Sequence, residues 1–313
     1  MAAVLELREH ILNFYRARKR LLDIIIKFIL AFFTFLIINI NIGYMSRLDN
    51  VFLIIVLSVI CAFLPMNVTL LVAAVLVVVH LYALSIVAAL MAAVIFIIAL
   101  LLYFGFSPKH GWKVLYTPVL YTIKLPYIMP LSAGVTASPI SLIPICIGIV
   151  IYYYLSGIKA SAPLYRQASE DSFEMLLTTV KLIFANPRLF AEIAVVIVTM
   201  VIVMAIGKLS FNHSKSAAIA AGAVLNLVAN LLICVYFNDT SGVPAVIIGE
   251  AVCTVVAYIV QFMLITMDYS RAEYVQFEDD EYYYYVKAIP KSSVSIERKL
   301  VKHYNKPEKE ERE

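Results

Sequence analysis

The chain has 313 residues, 63% of them hydrophobic and 15% charged, with a net charge of +4 and a mean hydropathy of +0.91. A soluble domain carries roughly 25% charged residues, so composition excludes an ordinary soluble globule and points to a polytopic membrane protein. The apolar material from Leu21 to Met267 suffices for eight or nine spanning elements of about 20 residues each.

The first twenty residues carry Arg8, Arg16, Arg18, Lys19 and Arg20 against Glu6 and Glu9. No small-residue cleavage pattern follows Ile42, so segment 1–20 reads as a retained, basic amphipathic lead-in on the inner membrane face rather than a signal peptide. A first span is expected at 21–42, followed by a polar link from Gly43 to Asn50. The apolar block from Val51 to Phe106 fits three short helices. They break at Pro65-Met66-Asn67 and near Ser85, and the block ends at Ser107–Gly111.

The most irregular stretch comes next. Between Thr117 and Pro144 the chain holds Pro118, Pro126, Pro130, Pro139 and Pro144, with Lys124 and Gly134 among them. Proline removes a backbone donor and clashes with the preceding helical turn. In lipid, broken backbone is tolerated only where protein or a wet cavity covers it. Segment 117–144 is therefore expected to be a broken or re-entrant element that marks a site.

Ser141 to Ile158 predicts a cleaner helix, with Tyr152, Tyr153 and Tyr154 suited to an interfacial belt. In the link 159–189, Phe173, Leu176, Leu177, Val180, Ile183 and Phe184 recur at helical spacing. They predict an amphipathic helix over 171–185, begun by Asp171 with Glu174 and stopped by Asn186-Pro187. Three further spans are expected near 190–208, 216–237 and 243–267. Residues 268–313 form a polar tail. The domain reading is thus a lead-in (1–20), a first membrane bundle (21–158), a link (159–189), a three-helix second bundle (190–267) and the tail (268–313).

Charge arbitrates the topology. The basic N-terminus and the links with Lys109, His110 and Lys113, and with Lys208 and Lys215, belong inside by the positive-inside rule. The link Asn238–Gly242 holds only Asp239 and belongs outside. Nine spans would put the two termini on opposite sides. Eight spans plus a re-entrant proline-rich segment put both termini in the cytoplasm and satisfy every short link. The fold class is therefore an all-α polytopic membrane protein with about eight transmembrane helices, nine being the alternative. Link 159–189, with Lys159, Arg166, Lys181 and Arg188, is the exception to the charge rule.

Few residues carry candidate chemistry. Glu250 lies about seven residues into the last span, and an intramembrane carboxylate is paired, neutralised or functional. Thr254, Tyr258 and Gln261 share its helix face, so the stripe reads either as a path for a solute, cation or proton, or as a polar seam between helices. Asn226 and Asn230, preceded by Ala217, Ala218, Ala221, Gly222 and Ala223, read mainly as helix-packing residues that can face Glu250. His80 reads as hydrogen-bonded structure or a proton relay. Lys124 is placed to reach an anion, pair with Glu250 or snorkel. Lys27 and Glu192 read as helix-end charges. Cys61, Cys146, Cys234 and Cys253 sit in apolar runs and read as buried thiols.

No nucleotide-binding, metal or hydrolase motif occurs. No enzyme activity, cofactor or metal is implied, and no nucleic acid. The bilayer is the expected partner. A protein partner is possible through the 171–185 helix or through Tyr282–Ile289, a strand-forming run ended by Pro290 and followed by the basic residues Lys291, Arg298, Lys299, Lys302 and Lys306.

The stretches Asp268-Tyr-Ser-Arg271, Gln276-Phe-Glu-Asp-Asp-Glu-Tyr-Tyr-Tyr-Tyr-Val-Lys287 and Lys124-Leu-Pro-Tyr127 with Pro130 resemble a group of uncharacterised multi-pass, permease-like membrane proteins of Gram-positive anaerobes. The resemblance implies a bacterial cytoplasmic membrane and brings no substrate or site residues. The function expected from the residues is a permease-like transport protein. The alternative is a non-transporting membrane scaffold, or a subunit of a cell-envelope complex.

Overall fold

The computed structural model describes residues 2–106, 111–167, 172–264, 273–278 and 282–288. Two units are distinguished: residues 18–265, and a second unit combining 1–17 with 266–313.

The larger unit is all-helical. It comprises α2 (Lys19–Ile42), α3 (Val51–Phe63), α4 (Met66–Leu84), α5 (Ile86–Phe106), α6 (Trp112–Thr122), α7 (Ile128–Val135), α8 (Leu142–Gln167), α9 (Ser172–Phe184), α10 (Pro187–Gly207), α11 (Ser214–Tyr236) and α12 (Val243–Leu264). Among the described residues, six helical stretches are long and apolar enough to cross a membrane: 19–42, 86–106, 139–166, 187–207, 214–236 and 240–264. The α3 helix and the first part of α4 are apolar but shorter. Phe52, Phe63, Leu101 and Val235 are each 69–72% exposed on helix faces. So much outward apolar surface is at home in lipid, not water. The chain is an integral membrane protein by this measure.

The breaks fall where the sequence predicts them. Leu64-Pro65 separates α3 from α4, and Ser85 separates α4 from α5. Successive helices run back and forth, and side-chain bonds tie their ends. Lys27 Nζ, early in α2, donates to the Leu64 carbonyl at 3.2 Å. At the opposite end, Asn39 Nδ2 donates to Asp49 Oδ1 at 2.7 Å, and Lys159 Nζ of α8 donates to Asn41 Oδ1 at 2.8 Å. Tyr103 of α5 returns to Asn67 at the start of α4.

The proline-rich segment folds as a helical hairpin, α6–turn–α7. Pro118 lies inside α6. The other four prolines occupy cheaper places. Pro126 lies in the turn, Pro130 and Pro144 in the first turns of α7 and α8, and Pro139 starts the short 3-10 turn Pro139–Ser141. The first N–H groups of a helix have no intrahelical acceptor, so proline costs little there. Both α6 and α7 end in the same way. Lys124 (φ 63°) and Ala137 (φ 50°) are left-handed, and Leu125 N–H returns to Leu120 O at 2.9 Å and Ser138 N–H to Ala133 O at 3.3 Å. These are Schellman ends built without glycine. At the base of the hairpin, the buried Lys113 ammonium donates to Ser141.

The two bundles read from the sequence share one core, because α7 packs against α10, α11 and α12 as well as α8. Small residues allow the approach. A β-carbon on Gly134 would lie 2.7 Å from Val203 Cγ1, and one on Gly222 would collide with the same valine and with Leu131. This is the close packing expected of the Ala/Gly run on α11.

One local expectation changes. The α8 helix continues to Gln167, so Tyr152–Tyr154 lie mid-helix instead of at its end. Tyr154 is buried and donates to the Ala88 carbonyl at 2.6 Å. The α9 helix ends at Phe184, just ahead of Asn186-Pro187 as expected, and Asn186 also caps α10, accepting from Leu189 N–H, with Pro187 as the first helical residue. The expected α9 start at Asp171 lies outside the described residues, as do Lys109, His110 and the basic end of the tail.

The second unit contains α1 (Ala2–Ala17) and a two-stranded antiparallel sheet of β1 (Glu273–Glu278) and β2 (Tyr283–Ala288), in the register Glu273↔Ala288 to Glu278↔Tyr283. The expected strand at Tyr282–Ile289 is β2. Its partner β1 was not anticipated.

Candidate functional site

The tip of the α6–α7 hairpin, the first halves of α10 and α12, the second half of α11 and the middle of α8 enclose a polar cavity of about 430 Å³. Its deep residues are Tyr127, Glu192, Asn230 and Glu250, none more than 7% exposed. Arg188 and Asp239 stand at its mouth, half-exposed and ion-paired at 2.9 Å. Ser241 also donates to Asp239. The Arg188 hydrogen bond, helped by that of Ser241, holds the Asp239 carboxyl below the usual carboxylate range.

Each polar group arrives for a local reason. Asn186 and Pro187 start α10 at the mouth, which sets Arg188 in its first turn and Glu192 one turn deeper. The left-handed Lys124 and Pro126 turn the chain so that Tyr127 heads α7. Its hydroxyl lies 2.8 Å from Glu192 Oε2 and also bonds Asn230 Oδ1. Asn230 Nδ2 donates to Asn226 O at 2.8 Å, and Thr199 donates to Asn226 Oδ1. Glu250 stands beside Asn226 without hydrogen-bond geometry between them, and neither carboxylate oxygen has a protein partner. A carboxyl buried in this way requires water, a proton or a ligand.

The sequence-predicted residues divide. Lys124, Pro126, Asn230 and Glu250 line the cavity together. Asn226 supports it from behind. Thr254 turns back to the Glu250 carbonyl at 2.8 Å. Tyr258 and Gln261 leave the site altogether. They bond Ser216 O at 3.1 Å and Ser216 Oγ at 2.9 Å, so the lower part of the α12 stripe is a seam to α11. His80 is separate. It is buried on α4, and its Nδ1 accepts from Met45 N–H at 3.3 Å. Pro118 lines a second cavity, whereas Pro130, Gly134, Pro139 and Pro144 shape the hairpin. Glu192, Arg188, Tyr121, Tyr127, Tyr152 and Tyr153 also line the cavity, but the sequence reading gave none of them a site role. Glu192 looks like a helix-end charge until Tyr127, 65 residues away, folds onto it.

The second cavity, about 320 Å³, is lined mainly by apolar residues of α2, α4, α6 and α8. Lys124, Tyr152 and Ser156 line both cavities, so the hairpin tip stands between a polar and an apolar space.

No protein-family model, curated protein or solved structure matches the chain.

Proposed function

We propose that the protein is a permease-like transporter whose path begins in the polar cavity at the hairpin tip. The observation that carries this reading is the convergence of Lys124, Glu192 and Glu250, from three distant parts of the chain, on one space. Broken backbone and ionisable groups at membrane depth are the recurring ingredients of a transport site.

A topology of eight crossings fits the same reading. The α6 and α7 helices, at about 16 and 12 Å by helical rise, are shorter than α3, which at about 20 Å is the shortest helix counted as a crossing. The Lys113–Ser141 bond keeps the two ends of the hairpin at one level. A hairpin that enters and leaves on the same side makes it re-entrant. The remaining long helices, with α3 and α4, then cross eight times. This places both termini and the links 107–111 and 208–213 in the cytoplasm of a bacterial cell, and opens the cavity outward at Asp239.

The test is accumulation or release of cellular solutes in vesicles carrying wild type, Glu250→Gln and Lys124→Ala at matched expression. Transport in wild type, lost in both variants, supports the site. Wild-type transport in both variants overturns it. The second reading, a membrane scaffold, draws on the exposed Tyr283 and Tyr285 of the tail sheet, whose two strands pair only with each other among the described residues, which suits strand addition. Deleting residues 272–313 separates the two. A scaffold loses its partner in a pull-down, whereas a transporter retains its solute flux.

A further inference from the structure

We infer that Glu192 is a proton-binding site, occupied by a proton in the conformation described here. The argument is a count of hydrogens. Tyr127 Oη makes two oxygen–oxygen contacts, one to Glu192 Oε2 at 2.8 Å and one to Asn230 Oδ1. Two such contacts need two hydrogens. A tyrosine hydroxyl supplies one, and an amide oxygen supplies none. The second hydrogen comes from Glu192.

Exchanging the oxygen and nitrogen of Asn230 does not rescue an ionised Glu192. The Asn230 Nδ2 donates to the Asn226 carbonyl at 2.8 Å, and an oxygen in that position would face another buried acceptor. The acceptor there is the Asn226 backbone carbonyl, which cannot act as a donor. The donor chain therefore runs one way: Glu192 O–H to Tyr127, Tyr127 O–H to Asn230, Asn230 N–H to Asn226.

Arg188, one turn earlier on α10, acts on Glu192 but is also ion-paired with Asp239, so its charge is shared between the two carboxyls. Lys124 stands exposed at the turn, across the cavity. The other groups around Glu192 are Tyr121 of α6, Tyr152 and Tyr153 of α8, Cys234 of α11 and the carboxyl of Glu250 on α12. None of these supplies a compensating positive charge.

Loss of the proton has a defined structural consequence. The Glu192 O–H bond breaks, and the proton passes to water in the cavity. The Tyr127 hydroxyl then turns its hydrogen to the new carboxylate, and Asn230 Oδ1 loses its donor. One of the bonds holding the head of α7 to α11 is broken. Use of this event to drive solute movement rests on the transport reading above. The proton site itself does not.

The test is infrared spectroscopy of the full-length protein in lipid nanodiscs, following the carbonyl stretch of protonated carboxyl groups as pH is raised. A band present at neutral pH in wild type and in Glu250→Gln, and missing in Glu192→Gln, is expected. Identical carboxyl bands in wild type and Glu192→Gln overturn the proposal. Tyr127→Phe provides a check that does not depend on the glutamine variant folding. Removing the acceptor of the Glu192 O–H must shift the band, and an unshifted band also overturns the proposal. If the band follows Glu192 while no variant alters solute flux, the proton site stands and the transport reading falls.

Discussion

The carbonyl oxygen of Lys124 lies 2.5 Å from the point where a β-carbon on Gly249 would sit. The hairpin tip thus touches α12 through bare backbone, next to Glu250, and only glycine permits the contact. Gly249→Ala must push the turn away from α12. Overpacking of this kind costs about 1–3 kcal/mol. A lower melting temperature and displacement of Tyr127 from Glu192 are expected, and a thermal-shift series with Ala and Val reads the first. An unchanged melting temperature would mean that the turn is not seated there.

The base of the hairpin makes a different prediction. Lys113 is buried, and Ser141 is its bonded partner. Ser141→Ala strands an ammonium, a loss of about 1–3 kcal/mol for an unsatisfied buried group. Lys113→Met combined with Ser141→Ala removes both partners and should recover most of that loss. A double-mutant cycle measures the coupling. Additive effects would show that the two residues do not close the hairpin.

At the mouth, the sign of the pH effect follows from Asp239. Its folded-state pKa is depressed by Arg188. The stabilisation is therefore complete above the unfolded value of about 4 and disappears as pH falls through the folded value. The pair is half-exposed, so its worth is below about 1 kcal/mol. Asp239→Asn should lower the melting temperature slightly at neutral pH and leave it unchanged in strong acid, where wild type and variant converge. A constant difference at all pH values would contradict the pairing.

Much of this arrangement was legible in the sequence. Pro65 and Ser85 mark the breaks around α4 because proline and a non-helical cap end apolar periodicity locally. The proline cluster pointed to an irregular, covered segment, and Lys124 and Glu250 line one cavity beside it. The reason was only partly right. Just one of the five prolines, Pro118, interrupts a helix, and the rest sit where a helix start or turn does not need the donor. The actual turns depend on left-handed Lys124 and Ala137. Neither residue is glycine, so neither advertises the conformation. Glu192 was underestimated because its partner, Tyr127, is 65 positions distant in sequence, and no periodicity links them. The α12 stripe misled in the opposite way. Helical spacing put Tyr258 and Gln261 on the face of Glu250, but Ser216 of α11 takes both.

The account turns on whether the cavity at Glu192 and Glu250 is a path or a fixed vestibule. Val246 lines it one turn before Glu250. Val246→Cys, in a chain with Cys61, Cys146, Cys234 and Cys253 replaced by alanine, can be challenged with a membrane-impermeant thiol reagent in right-side-out and inside-out vesicles. A permease exposes its site to each side in turn, so modification from both sides is predicted. Modification from the Asp239 side alone, or from neither side, would contradict a transport path through this cavity.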